Sequence, residues 1–546
     1  MTPPSAAHLG PDGSLLYNLT HQAETRPEAR ALAYYGADLS FAQLWQAVRH
    51  VAGTLLDLGV APGDRVAIDM QNSPQYVIAY YAVLAARGVV VPLNPMYRAE
   101  EVATILGDAG VRVVLAAEEV LDRFTGWPGA EALSLIVARY ADMLPDTPVT
   151  PPPAVTQAAP LDLSGDERLI PWAEALRPPV PARLPGEDAP ATDWAVMPYT
   201  SGSTGVPKGC LHSHRSVMHT AVLQVEWYGI TADSVVTAVQ PLFHVAGMQG
   251  SMNAAIHAGA TLMIMTRWEA EAAIALFTHY GVTFWNAPPT MVVDMMSRGG
   301  AVTPALARVT VLTGGGAAMP GPVAARLKTQ FGLEYVEAFG MSETMSPTHL
   351  NPIDAPQAST VGIPAQMTRS MIVDPDTLAP LPDGEVGELV VSGPQLMLGY
   401  WNRPEADAET FFSHDGQRFL RTGDLALRQA DGYYRIVDRL KRMINASGFK
   451  VWPTEVEGVI FGHEAVEGCC VIAAPDAYRG ETVKALIQLR PGARLTAGEL
   501  TDWLRPQLAA FKLPRLVEFV GSLPRTASHK VDWRALQERE AAAARS

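Results

Sequence analysis

Tyr199-Thr-Ser-Gly-Ser-Thr-Gly-Val-Pro-Lys-Gly209 is the most informative stretch of the chain. Thr200, Ser201, Ser203 and Thr204 supply hydroxyls, Gly202, Gly205 and Gly209 supply glycines, and Lys208 supplies a cation. They follow Trp194 to Met197, an apolar segment that reads as a strand. Glycine lets a backbone approach an anion closely, hydroxyls donate to phosphate oxygens, and an ammonium balances the charge. A Walker loop needs Gly-Lys followed by Ser or Thr, and Pro207-Lys208-Gly209 breaks that pattern. A flexible linker would explain the small residues, but it needs neither the Pro-Lys-Gly ending nor a preceding strand. The stretch predicts a phosphate-holding loop after a strand.

On the N-terminal side, strands and helices alternate. Phe41 to Leu58 has helical spacing, and Arg65 to Asp69 reads as a buried strand. Pro74 to Ala86 reads as a helix capped by Ser73, with proline at its first position. Gly88 to Pro92 is a strand, Glu100 to Ala109 a helix and Val111 to Leu115 a strand. Such alternation predicts βαβ units and largely parallel sheets. Proline density from Asp146 to Pro190 predicts an irregular connection. A second α/β region runs to about Leu350, and short strands with Gly/Pro turns between Val361 and Val437 predict a smaller β-rich subdomain. A compact α+β pattern follows Asp438.

The chain has 546 residues and a formal net charge of −15, so more than one domain is expected and a nucleic-acid partner is not. Cys210, Cys469 and Cys470 are too few and too badly placed for a disulfide framework or a metal-ligand set. The N-terminus lacks a basic region followed by an apolar stretch, and no apolar run nears the ~18 residues a membrane span needs. A cytoplasmic protein without an integral membrane segment is the expectation.

Thr200 to Gly209 resembles the phosphate-binding loop of the adenylate-forming enzymes, the family of acyl-CoA synthetases, luciferases and adenylation domains. Later motifs arrive in that family's order. Pro241-Leu-Phe-His-Val-Ala-Gly247 is similar to the segment that approaches the acyl group, which makes His244 a pocket or gate residue with a catalytic role. Gly314-Gly-Gly-Ala317 is similar to the cradle for adenine and the acyl carbonyl, through Gly315 and Gly316. Glu337-Ala-Phe-Gly-Met-Ser-Glu343 is similar to the Tyr-Gly-Met-Thr-Glu segment. The resemblance implies that Ala338, Phe339 and Gly340 meet adenine, Ser342 the α-phosphate region, and Glu343 a Mg²⁺ ion together with Thr200. Arg421-Thr-Gly-Asp424 matches the ribose-binding element, and Asp438-Arg-Leu-Lys441 the hinge, with Arg439 on ribose or phosphate and Lys441 as pivot. Ser447-Gly-Phe-Lys450 resembles the loop that serves the thioester step, placing Ser447, Gly448 and Lys450 at CoA. Pro524-Arg-Thr-Ala-Ser-His-Lys530 resembles Pro-Arg-Thr-x-x-Gly-Lys, whose lysine drives adenylation; Lys530 is present and His529 replaces the glycine. If that glycine needs positive φ, histidine costs about 1 kcal/mol or more there.

The resemblance implies an α/β fold: a large N-terminal body of α/β subdomains plus a small β-rich subdomain at residues 1–438, then a small mobile α+β lid at residues 439–546. It implies a ligase that uses ATP, CoA and Mg²⁺ to turn a carboxylic acid into acyl-AMP and pyrophosphate, then into acyl-CoA and AMP. A homodimer is compatible with it. The family's amino-acid-loading members carry an aspartate near His244; this chain has Val245 and Ala246 there, which argues against an amino-acid substrate. Met248, Met252, Met263, Met265, Met291, Met295 and Met296 crowd residues 241–300 and suit a flexible alkyl chain, although ordinary core filling explains each singly. A medium- or long-chain fatty acid is therefore expected. An aryl acid closed in by Trp285, or transfer to a carrier-protein thiol, stays open. The candidate cations on this acidic chain are Lys208, Arg439, Lys441, Lys450 and Lys530.

Overall fold

The computed structural model describes residues 13–157, 159–177, 179–200, 207–315, 319, 321–446, 449–476, 480–525 and 531–543, with the backbone alone at 449 and 450. By internal contacts the chain forms two compact units. One holds Met1–Arg369 and Ser392–Leu420; the other holds Ser370–Val391 and Arg421–Ser546. The β-rich region expected between Val361 and Val437 is therefore divided between them.

Among the described residues, the first unit contains two nine-stranded sheets. In one, six parallel strands run in the order Tyr335–Phe339, Val311–Gly315, Phe284–Asn286, Val235–Ala238, Thr261–Ile264 and Arg30–Tyr34. Short antiparallel strands close both edges. From Val235–Ala238 the chain goes first to the strand on one side and then to Phe284–Asn286 on the other. Such a switch leaves a crevice at the carboxyl ends of the strands, where open α/β sheets bind ligands. Gln240, Asn286 and the Gly314–Gly315 segment all stand at those ends.

The second sheet contains the parallel strands Trp194–Val196, Val89–Pro92, Arg65–Asp69, Val113–Ala117, Ser134–Ala138 and Leu169–Pro171. At its other end come Lys208–Ser213 and then Gly399–Tyr400, both antiparallel. The strands are rich in valine, as expected for a sheet covered on both faces. Pro74–Ala85 is apolar nearly all round and buried along its whole length, the pattern of a helix enclosed in a core. Its start follows from sequence: the Ser73 hydroxyl accepts from the Tyr76 N–H, and Pro74 occupies a position that needs no N–H. Among the described residues the proline-dense connection is largely irregular, with Leu169–Pro171, Trp172–Ala175 and 3₁₀ turns at Ala154–Gln157 and Pro185–Asp188 as its regular pieces.

In the second unit, the strand Gln417–Arg428, which begins in the first, pairs with Tyr434–Arg439. A further sheet has the order Phe449–Val451, Ile444–Ala446, Gly480–Leu489 and Val466–Asp476, with Leu516–Phe519 parallel to Gly480–Leu489. Helices Pro453–Ile460, Ala497–Leu504 and Trp533–Ala543 accompany it.

Candidate functional site

Tyr199–Thr200 and Lys208–Ser213 form an antiparallel pair, with Thr200 opposite Lys208 and Tyr199 opposite Gly209. The predicted loop residues Ser201, Gly202, Ser203, Thr204 and Gly205 lie between them, outside the described residues. The strand pair is anchored by residues remote in sequence. The Tyr199 hydroxyl donates to Asp108 at 2.7 Å, the other Asp108 oxygen pairs with Arg403 at 2.5 Å, and the Trp401 indole N–H donates to the Asp108 carbonyl at 3.0 Å. The Trp401 backbone N–H closes the set on the Gly209 carbonyl at 2.8 Å.

Alternation along Lys208–Ser213 puts Lys208, Cys210 and His212 on one face. The Lys208 ammonium lies 5.1 Å from the centre of the Tyr400 ring. Cys210 pairs with Tyr400 across the strands, and its thiol hydrogen-bonds to Thr200. Burial, then the nearby Glu343 carboxylate, holds that thiol protonated well above its ordinary range. His212 is fully buried, and burial pushes it down to about 4, so it is neutral at pH 7. Its Nε2 lies 2.7 Å from the Ser342 carbonyl, which can only accept; the proton is therefore on Nε2. Glu343 follows, buried, with Oε1 accepting from the Tyr400 hydroxyl at 2.8 Å. Thr200 and Glu343, the predicted Mg²⁺ ligands, thus border the same thiol.

The glycines of the expected cradle stand where a side chain would clash. A Cβ on Gly314 would lie 2.0 Å from the Ala287 carbonyl oxygen, one on Gly315 2.3 Å from the Ala338 oxygen, and one on Gly340 2.8 Å from Ser346 Cα. Gly315 sits opposite Ala338, so the two predicted adenine segments are neighbouring strands. Gly316 lies outside the described residues. Phe339 is half-buried, edge-on to His349 at 6.1 Å. Glu337 was not predicted: its buried carboxylate, raised by burial, accepts from the Met319 N–H at 3.1 Å and ties the segment after the cradle to the next strand.

His244 is exposed, and its Nδ1 accepts from the Ala246 N–H at 3.2 Å, capping the turn that leads into a π-helical segment, Met248–Asn253. π-Helical turns frequently occur at functional sites. Asn72 holds the approach to His244, donating to the Ala238 and Gln240 carbonyls at 3.0 and 2.8 Å and accepting from Leu242 N–H at 2.8 Å. Below it, Gln240 donates to Asn286 at 2.7 Å, and Gly250 packs so closely that a Cβ would meet the Asn286 and Gln224 side chains at 2.5 and 2.8 Å. Six of the seven clustered methionines are fully buried in the main core and Met291 packs against it, as ordinary filling requires. Trp285 is buried too, stacked on Trp268 at 6.0 Å.

In the second unit, Asp424 and Arg439, both predicted at the nucleotide, face each other across two strands with an ion pair of 2.7 Å. The Thr-Gly-Asp turn is held by Glu388, which accepts from Gly423 N–H at 3.1 Å and takes two hydrogen bonds from Arg421. Asp438 accepts from the Arg439 and Thr454 N–H groups, each at 2.7 Å. Lys441 is exposed on the turn Leu440–Arg442, and Lys450 lies on Phe449–Val451. Ser447, Gly448, His529 and Lys530 fall outside the described residues.

Sequence reading missed Tyr400, Asp108, Asn72, His212 and Glu388. Only the Gly-Tyr-Trp grouping at 399–401 hinted at any of them.

The model of the AMP-binding enzyme family matches residues 19–401, and that of the AMP-binding enzyme C-terminal domain matches residues 455–530. A long-chain-fatty-acid–CoA ligase of Bacillus subtilis (strain 168) is 31% identical over 537 residues, 97% of this chain and 95% of that protein. A feruloyl-CoA synthase of an Amycolatopsis species is 32% identical over 516 residues, 93% of this chain and 96% of that protein. Among solved structures, ATP-bound MatB from Rhodopseudomonas palustris superimposes with a TM-score of 0.85 at 26% identity, covering 97% of this chain and 99% of that one.

Proposed function

The chain belongs to the AMP-binding enzyme family and is an adenylate-forming acid–CoA ligase, and from that premise we propose that its acid is a medium- or long-chain fatty acid. The observation carrying this reading is that residues 241–266, which run through the π-helical segment, contain no Asp, Glu, Lys or Arg. A charged substrate tail would find no counter-ion there.

In the first half-reaction a carboxylate oxygen attacks the α-phosphorus of ATP, and the bond to the β-phosphate oxygen breaks to release pyrophosphate. Residues 200–208 hold the departing phosphates, and Lys530 bridges the carboxylate and α-phosphate charges. Asp424 accepts the ribose hydroxyls, with Arg439, now paired to it, alongside. In the second, the CoA sulfur attacks the acyl carbon, the bond to the AMP oxygen breaks, and the thiol proton passes to solvent. Ser447, Gly448 and Lys450 face CoA in that step, after residues 439–546 turn about Lys441 as a lid.

Thr200 and Glu343 offer one hydroxyl and one carboxylate, hard donors of the kind Mg²⁺ takes. No group of three or more His, Cys, Asp or Glu able to hold a metal occurs among the described residues, so phosphate oxygens would complete the set. When bound, Mg²⁺ neutralises charge on the phosphates.

The buried amides of Gln240, Asn286 and Gln224 around Gly250 favour a second reading, an aryl acid bearing hydrogen-bonding substituents. A panel of C2–C18 and aryl acids, read as CoA-dependent AMP release, tests both. The fatty-acid reading expects best turnover within the medium to long chains. Turnover of aryl acids alone would replace it with the second, and activity with a phosphopantetheinylated carrier but not with free CoA would overturn the choice of acceptor.

A further inference from the structure

Lys208 and Glu343 carry opposite charges on neighbouring segments. Among the described residues Lys208 nevertheless forms no ion pair. Tyr400 lies between them. Its ring takes the Lys208 ammonium at 5.1 Å from the centroid, a cation–π distance, and its hydroxyl donates to Glu343 Oε1 at 2.8 Å. The ring is fixed from three sides. Its backbone pairs with Cys210, its N–H donates to Asp407 at 2.8 Å, and its hydroxyl also hydrogen-bonds to Thr410. A carboxylate held this way keeps one oxygen on tyrosine and one orientation. A lysine held over an aromatic face keeps its full charge for an incoming anion.

We propose that Tyr400 is a positioning residue for nucleotide binding: its ring keeps Lys208 and Glu343 from pairing with each other, and its hydroxyl aims the Glu343 carboxylate. This rests on the reading of Lys208 as a phosphate contact and Glu343 as a Mg²⁺ ligand. The two functions separate by substitution. Tyr400→Phe keeps the spacer and loses the hydrogen bond; Tyr400→Leu loses both and lets the two charges collapse together.

Calorimetric titration of the full chain with ATP, with and without Mg²⁺ and with no acid present, reads this apart from turnover. Tyr400→Phe is expected to weaken Mg²⁺-ATP binding about tenfold, the scale of one charged hydrogen bond, and to leave metal-free ATP binding unchanged. Tyr400→Leu should weaken both. In a Glu343→Gln background, Tyr400→Phe should have little further effect, as coupled residues require. If Lys208→Met and Glu343→Gln themselves leave Mg²⁺-ATP binding unchanged, the underlying reading fails and the proposal falls with it. If they weaken binding while Tyr400→Phe matches wild type, the proposal alone is overturned.

Discussion

Asp69 ends its strand with a fully buried carboxylate whose oxygens have no hydrogen-bond partner among the described residues. Arg123 is its counter-ion at a loose 3.7 Å, because another guanidinium nitrogen donates to the Pro95 carbonyl. Burial outweighs that attraction and raises Asp69 from 3.8 to about 7. Between those values the folded chain keeps a proton that the unfolded chain has released, so this residue removes stability as pH rises, by up to ~1.4 kcal/mol per unit. Asp69→Asn should therefore gain on wild type from pH 5 to about pH 7 in urea-unfolding midpoints and level off above it; parallel curves from pH 5 to pH 7 would refute the assignment. Nothing in the sequence marks Asp69, since Arg65 to Asp69 reads simply as a buried strand. Gly314 and Gly315, by contrast, stood out through a resemblance, and the carbonyl oxygens that crowd both positions explain why glycine stands there.

At the level of elements, helices declared themselves best. Phe41–Asp57 and Pro74–Ala85 lie within one residue of their predicted spans, since caps and spacing are local signals. The anchored strand pair Tyr199–Thr200 with Lys208–Ser213, which flanks the expected phosphate loop, was not legible. Its Tyr199–Asp108 bond joins residues 91 apart and the Asp108–Arg403 pair residues 295 apart, separations over which no periodicity carries information. Asp108→Ala is expected to remove the acceptor of the Tyr199 hydroxyl and the counter-ion of Arg403 at a cost of about 1–3 kcal/mol, and to raise the KM for ATP more than it lowers kcat. Asp108→Asn, which keeps an acceptor for the Tyr199 hydroxyl, should fall between. A KM for ATP unaffected by either change would detach this anchor from nucleotide binding.

Across the molecule, four buried histidines among the described residues set the acid limit. Burial lowers His212, His214 and His219 to about 4 and His349 to about 3. Below their ordinary 6.5 the unfolded chain takes up protons that the folded chain refuses, so stability is complete above that value and is lost as pH falls toward 4. This runs against the Asp69 effect. Urea midpoints should drop between pH 7 and pH 5 with net proton uptake on unfolding, and His349→Asn should flatten the slope; a flat wild-type profile would contradict this. The α/β class and family were legible because each motif is contiguous. How the described motif residues are supported was not, because His212, Tyr400 and Glu388 act through partners remote in sequence.

The edge strand Gly399–Tyr400 bears on how the chain is made. It joins Lys208–Ser213 almost two hundred residues after that strand has been synthesised. Until then one edge of the second sheet waits with open backbone groups, a surface prone to pairing with other chains. The strand pair that flanks residues 201–206 is thus among the last parts of the first unit to be completed on the ribosome. A nascent chain stopped short of residue 400 would carry Tyr199 to Gly209 without the strand beside Cys210, the aromatic face beside Lys208 or the hydroxyl on Glu343.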